Sequence, residues 1–152
     1  VSSISFDFLP HHLGVSVPDL DSSISWYSDM LGFELDFREF VKVIPAEVAF
    51  MRRGNFRIEL FQVEGAEPLP SERRHPNQDV RTHGNKHLCL AVQDVGSAIA
   101  TLTDKGVDVV FEKEVLGTPM AFIRDNAGNL IEFIQCPELF QVTPNHTTEK
   151  GS

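Results

Sequence analysis

His12-Leu13-Gly14-Val15-Ser16-Val17-Pro18-Asp19-Leu20 returns 75 positions later as His87-Leu88-Cys89-Leu90-Ala91-Val92-Gln93-Asp94-Val95. The His, the Val at 17 and 92, and the Asp match outright, and the remaining positions match in size or polarity. The likeness runs on through Ser22-Ser23-Ile24 and Ser97-Ala98-Ile99. It reaches Ile58-Glu59-Leu60-Phe61-Gln62, answered 73 positions on by Ile131-Glu132-Phe133-Ile134-Gln135. A repeat at near-fixed offset decides the architecture before any single element does. Two copies rather than many indicate an internally duplicated domain.

Each copy reads β-α-β-β-β. In the first, His12 to Val17 alternates as a strand and Pro18-Asp19 ends it. Leu20, Ile24, Tyr27 and Leu31 then form a helix stripe over 20–31, capped by Asp19 or Asp21 and stopped at Gly32. Strands are expected at 33–43, 46–51 and 56–63, with Arg53-Gly54-Asn55 turning between the last two. The second copy repeats this order: strand 87–92, helix 96–105, and strands 107–111, 119–124 and 129–136. Module 1 thus covers about 10–63 and module 2 about 87–136. Residues 64–86 carry three prolines, two glycines and many charges. They are expected to be a connection without regular structure, long enough to be functional or mobile. Residues 137–152 are expected to trail off as a tail, loose from Thr143.

The composition bounds the function. At 152 residues the chain is one domain with room for a core. A net charge of −9 argues against nucleic acid or an anionic membrane as partner. No run is long enough to span a membrane, and no signal-peptide pattern opens the chain. Cys89 and Cys136 do not make a disulfide framework and are expected as buried thiols. A cytoplasmic protein acting on a small molecule is the expectation.

Alternation carries the chemistry. The helix-covered face of each sheet must be apolar, so Leu13, Val15 and Val17, and Leu88, Leu90 and Val92, face the helices. His12 and Glu59, and His87 and Glu132, then face the other way. If the halves pair about a pseudo-two-fold axis, two imidazoles and two carboxylates converge in one cup, a donor set suited to a divalent cation. The repeat selects His12 over its neighbour His11, because His12 aligns with His87. Such a set suits Ni, Co, Mn, Zn or Fe. It leaves open whether the cup closes within one chain or across two.

These residues resemble the vicinal oxygen chelate superfamily, which includes glyoxalase I, methylmalonyl-CoA epimerase, extradiol dioxygenases and bleomycin-resistance proteins. The marks are His12 to Asp21, Trp26-Tyr27 with Leu31-Gly32-Phe33, Arg57 to Phe61, His87 to Asp94, and Phe122 to Glu132. The resemblance implies an α+β fold of two tandem βαβββ modules forming a cupped mixed sheet around one metal site. It also implies the metal ligands His12, Glu59, His87 and Glu132, and a homodimer. Glu59 leans towards the four-ligand members, glyoxalase I and the epimerases, rather than the two-His, one-Glu dioxygenases. The absence of an Arg shortly after His12 leans away from glyoxalase I.

The expected chemistry is proton abstraction next to a metal-bound carbonyl, giving epimerisation or isomerisation. The resemblance makes Glu132 the base. Glu47, or else Glu39, is the candidate second acid. Phe50, Phe61, Cys89, Met120 and Phe122 are candidate pocket residues, and Arg124, with Arg57, is a candidate for a substrate anion. The alternatives are a glyoxalase I-type lyase, an Fe(II) extradiol-type dioxygenase, and a drug- or metabolite-binding resistance protein.

Overall fold

The structure, a computed structural model, describes residues 6–141. Module 1 comprises β1 (His12–Ser16), α1 (Leu20–Leu31), β2 (Glu34–Val41), β3 (Ala46–Arg53) and β4 (Phe56–Val63). Between the modules lies a short helix, α2 (Pro76–Asp79). Module 2 comprises β5 (Leu88–Val92), α3 (Val95–Asp104), β6 (Asp108–Val115), β7 (Thr118–Arg124) and β8 (Leu130–Gln135). The strands form two four-stranded sheets, ordered β1-β4-β3-β2 and β5-β8-β7-β6. In each, the first strand runs parallel to the last, and the remaining pairs are antiparallel. A parallel pair needs a crossover, which α1 and α3 provide as part of the connection. The βαβββ modules expected from the repeat are therefore present, with β2 ending earlier and β6 running four residues further than the sequence suggested.

The repeated polar residues explain why the helices start where they do. Asp19 and Asp94 are the N-caps, each accepting the N–H three residues on, from Ser22 and Ser97, at 2.6 Å. The Gln that closes each repeat supplies a second cap: Gln62 Oε1 accepts from Leu20 N at 2.6 Å and Gln135 Oε1 from Val95 N at 3.0 Å. Glu59 and Gln62 are an odd number of residues apart, so one strand sends the Gln to the helix and the Glu to the opposite face. Gly32 ends α1 with φ of 67°, and its N–H returns to Ser28 O.

The helix-facing sides of both sheets share one apolar core. Leu20, Tyr27, Ile58 and Leu60 of module 1 belong to the same cluster as Val95, Ile99, Ile123 and Ile131 of module 2. Burying each such aliphatic side chain contributes about 1.5–3 kcal/mol. One buried polar contact crosses the same seam. Tyr27 donates its hydroxyl to Asp125 Oδ2 at 2.9 Å, while Asp125 Oδ1 accepts from Ala127 N and Asn129 N at 2.9 and 2.8 Å.

Burial first, and the Asp125 charge second, push the Tyr27 phenol well above its ordinary ionisation range. In the unfolded chain the phenol ionises near pH 10. A folded-state value above that means stability is fully present below pH 10 and falls as the pH rises past it. Tyr27 is the single tyrosine of the chain. Phenolate absorbance is therefore expected to appear only together with unfolding. The Tyr27→Phe variant is expected to cost about 1 kcal/mol at pH 8 in urea titrations and to flatten the alkaline loss. Phenolate absorbance developing near pH 10 in a still-folded protein would contradict this account.

Three expectations need correction. The connection 64–86 is structured: Ser71–Arg74 form a 3-10 turn and α2 follows directly. Its anchor is Asp79, 1% exposed, whose Oδ1 accepts from Arg73 Nε at 3.1 Å and Lys86 Nζ at 3.2 Å. Residues 137–140 form a 3-10 turn rather than the start of a tail, and the loose stretch expected from Thr143 lies outside the described residues. The cysteines are not buried thiols: Cys89 is exposed and Cys136 half-buried, both free. Cys89 shares the His-bearing face of its strand and so is kept from the core. Among the described residues, no helix is long and apolar enough to cross a membrane.

Candidate metal centre

Two His–Glu pairs stand on the sheet faces turned away from the shared core. His12 Nε2 lies 3.1 Å from Glu59 Oε2, and His87 Nε2 lies 2.8 Å from Glu132 Oε2. Parallel pairing of first and last strands creates each pair, because it sets Gly14 beside Glu59 and Cys89 beside Glu132. The neighbours Ile58, Leu60, Ile131 and Phe133 are core, so alternation points both Glu side chains outward. His12, rather than His11, faces the Glu, as the repeat indicated. His11 has a supporting place: its Nδ1 is 2.7 Å from His12 Nδ1, a contact that orients the ring from the side away from Glu59.

The surroundings are duplicated as well. Phe50 sits beside Glu59 in the β3–β4 register and packs edge-on to His12, ring centroids 5.2 Å apart. Phe122 sits beside Glu132 and packs edge-on to His87 at 4.8 Å. A second phenylalanine follows on the outer strand: Phe37 stacks on Phe50 at 4.8 Å, and Phe111 lies 5.3 Å from Phe122. Register shifts in the outer strands, between Leu35 and Phe37 and between Val109 and Phe111, place these rings. A bulge re-aims a side chain in this way. Phe37 and Phe111 were not singled out from the sequence, because the bulge breaks the alternation that assigns faces.

The remaining candidates divide. Phe61, Cys89, Met120 and Phe122 lie on the His-bearing faces by register with the Glu strands. Arg124 is at the rim of module 2, where Nε donates to Arg74 O at 2.7 Å and Nη1 to Asp108 Oδ2 at 3.0 Å. Arg57 is similarly engaged, with Asp36 at 3.2 Å. Glu47 is not brought to the site. It pairs in register with Gln62, on the helix side of the sheet, and accepts from Arg38 Nε at 3.3 Å. Glu47 instead lines a cavity of about 930 Å³ that touches neither His–Glu pair. Glu39 does share the face of His12, two residues beyond Phe37. Cys89 stands beside Glu132. Although the residue is exposed, partial desolvation of its sulfur first, then the Glu132 charge, pushes the thiol up to about 12, so it stays protonated at neutral pH.

The donor set fits a divalent ion, with a condition. Two ligand atoms each about 2.1 Å from one ion, at a right angle, are about 3 Å apart. Both His–Glu separations match that edge. Each pair alone offers only two ligands, and the two pairs do not meet: among the described residues, no three His, Cys, Asp or Glu side chains come close enough to hold an ion. Within one chain, the expected foursome is therefore two half-sites.

Comparison with known proteins agrees with the duplicated fold. Mouse mitochondrial methylmalonyl-CoA epimerase is 27% identical over 135 residues, spanning 82% of this chain and 71% of that protein. Lactoylglutathione lyase of Pseudomonas putida is 30% identical over 151 residues, spanning 84% and 85%. A solved glyoxalase family protein from Enterococcus faecalis superposes with a TM-score of 0.72 at 21% identity, over 87% of this chain and all of that one. That last likeness is one of fold. The profile of the Glyoxalase/Bleomycin resistance protein/Dioxygenase superfamily matches residues 9–133, which with the paired βαβββ modules makes this chain a member of that superfamily.

Proposed function

We propose that the protein is a divalent-metal-dependent enzyme that abstracts a proton next to a carbonyl, of epimerase or isomerase type, with each metal site built by two copies of the chain. The observation that carries this reading is the duplicated His–Glu pair at an ion-sharing separation of 2.8–3.1 Å. β1 and β5 are edge strands of their sheets, and an unpaired edge is a template for another strand. The same two strands bring His12 and His87. Laying β1 of one copy beside β5 of another joins His12 and Glu59 to His87 and Glu132. A two-fold axis repeats the contact, so both edges of both copies are used and the assembly closes.

His12, Glu59, His87 and Glu132 would hold the ion, which would supply a Lewis acid for the carbonyl oxygen. The chain's own groups do the rest. Glu132, beside Phe122, accepts the α-proton; the resemblance to the epimerase and lyase relatives supports that role. Glu47 takes no part, because it stands on the other face.

The test is metal content of the purified, untagged protein beside Glu59→Ala. About one divalent ion per chain is expected in the wild type, with affinity reduced about 100-fold or more in the variant, beyond the loss seen for outer-shell partners. A wild type that takes up no metal after reconstitution would sink the proposal.

A further inference from the structure

The two half-sites, alike in His, Glu and both phenylalanines, differ in what lies beside them. In module 1 the ring of Phe61 lies over Gly14, so close that a Cβ on Gly14 would meet Phe61 Cε2 at 3.0 Å. Val48, register partner of Phe61, is only 2% exposed. The equivalents in module 2 are Cys89, Ile134 and Met120: Cys89 is exposed like Gly14, Ile134 is half-buried like Phe61, and Met120, unlike Val48, is only half-buried. A phenylalanine ring lies across the small residue beside the first pair, where the second pair has the smaller isoleucine beside Cys89. The outer strands differ in charge. Glu39 stands in register with Val48, where module 2 sets Lys113 in register with Met120. The Lys113 ammonium is turned onto the site face, 4.2 Å from the centre of the Phe111 ring. Phe111, Phe122 and His87 then follow in contact, so the cation stands at the end of an apolar track leading to a metal ligand.

We infer that module 2 forms the substrate side of the site, and that Lys113 binds a carboxylate carried by the substrate beyond an apolar spacer. The substrate class is then a carbonyl compound with a second, anionic end. This rests on the metal-centre reading above and adds its polarity. An anion bound on the module 1 side would meet Glu39 and the Phe61 ring.

The test uses the Co(II)-loaded protein and hydroxamates, whose two oxygens chelate a metal, with binding read from the cobalt absorption spectrum. Succinic and adipic monohydroxamates are compared with neutral alkyl hydroxamates of equal length. The better-fitting acid is expected to bind about fivefold tighter than its neutral counterpart, the upper range for an exposed ion pair. Lys113→Met should abolish that preference, Lys113→Arg should keep it, and Lys113→Glu should reverse it towards β-alanine hydroxamate. Ile134→Phe, which transplants the module 1 ring, should weaken the longer hydroxamates about tenfold and spare acetohydroxamate, the control for an intact fold and metal. Hydroxamates that bind without a carboxylate preference, or a preference unmoved by Lys113→Met, would overturn the inference while leaving the metal centre standing. Unchanged binding of the longer hydroxamates to Ile134→Phe would do the same. Failure of every hydroxamate to perturb the bound cobalt would overturn the inference alone, and failure of the protein to take up Co(II) would overturn both.

Discussion

Chains carrying His12→Ala and chains carrying His87→Ala, each unable to hold metal alone, are expected to regain it when mixed. Losing a ligand should weaken binding by about 100-fold or more, beyond the range seen for outer-shell partners. The His12 side chain is 36% exposed and the His87 side chain 26%, so neither change empties the core. If each centre takes module 1 from one copy and module 2 from the other, a mixed dimer has one centre with both His residues missing and one fully intact. Equal mixing makes about half of the dimers mixed, so about a quarter of the wild-type sites should return. The mixture is made by refolding together from urea, and bound metal is counted against dimer concentration. If each centre instead formed within one chain, every chain in the mixture would still lack a ligand, and nothing would return. Recovery of metal therefore reads the assembly directly. Its absence from a mixture shown to contain mixed dimers would refute the shared site.

The repeat made most of the fold legible, because its polar members have fixed physical jobs. Asp19 and Asp94 start helices, Gln62 and Gln135 cap the same helices from the strands, and the His and Glu residues occupy the faces left over. Parity would also have excluded Glu47. It is an odd number of residues from Phe50 on one strand, so the two cannot share a face. Parity failed for Phe37 and Phe111, where the outer strands bulge. The sheet pairing shows which residues share a face, but no local pattern states how two modules sit together. Here their helix sides merge into one core, which turns the His–Glu faces outward and splits the expected foursome. The connection was misread for a different reason. Its stability rests on a buried carboxylate and two distant cations, and composition alone makes such a stretch look like a solvated loop.

That connection carries a large stability effect for a single polar side chain. Asp79→Ala should cost about 3–4 kcal/mol, because it removes the partner of a mostly buried cation. Lys86 is 20% exposed, and its Nζ donates to Asp79 O at 2.8 Å as well as to the carboxylate. Arg73, at 38% exposure, can turn to water, and its Nη2 keeps the Asn85 carbonyl at 2.8 Å. The uncompensated charge is therefore mainly that of Lys86. Replacing both partners with apolar residues, Asp79→Leu with Lys86→Met, leaves no buried charge and should recover most of the loss. Asp79→Asn keeps an acceptor without the charge and should fall between. The ladder is read from urea unfolding midpoints at constant slope. Lys86 immediately precedes His87, so the same contact fixes where the second half-site begins. Asp79→Ala should also speed hydrogen exchange across residues 71–86 ahead of the sheets. A midpoint within 0.5 kcal/mol of wild type, with exchange unchanged, would mean that the connection is held by something other than Asp79.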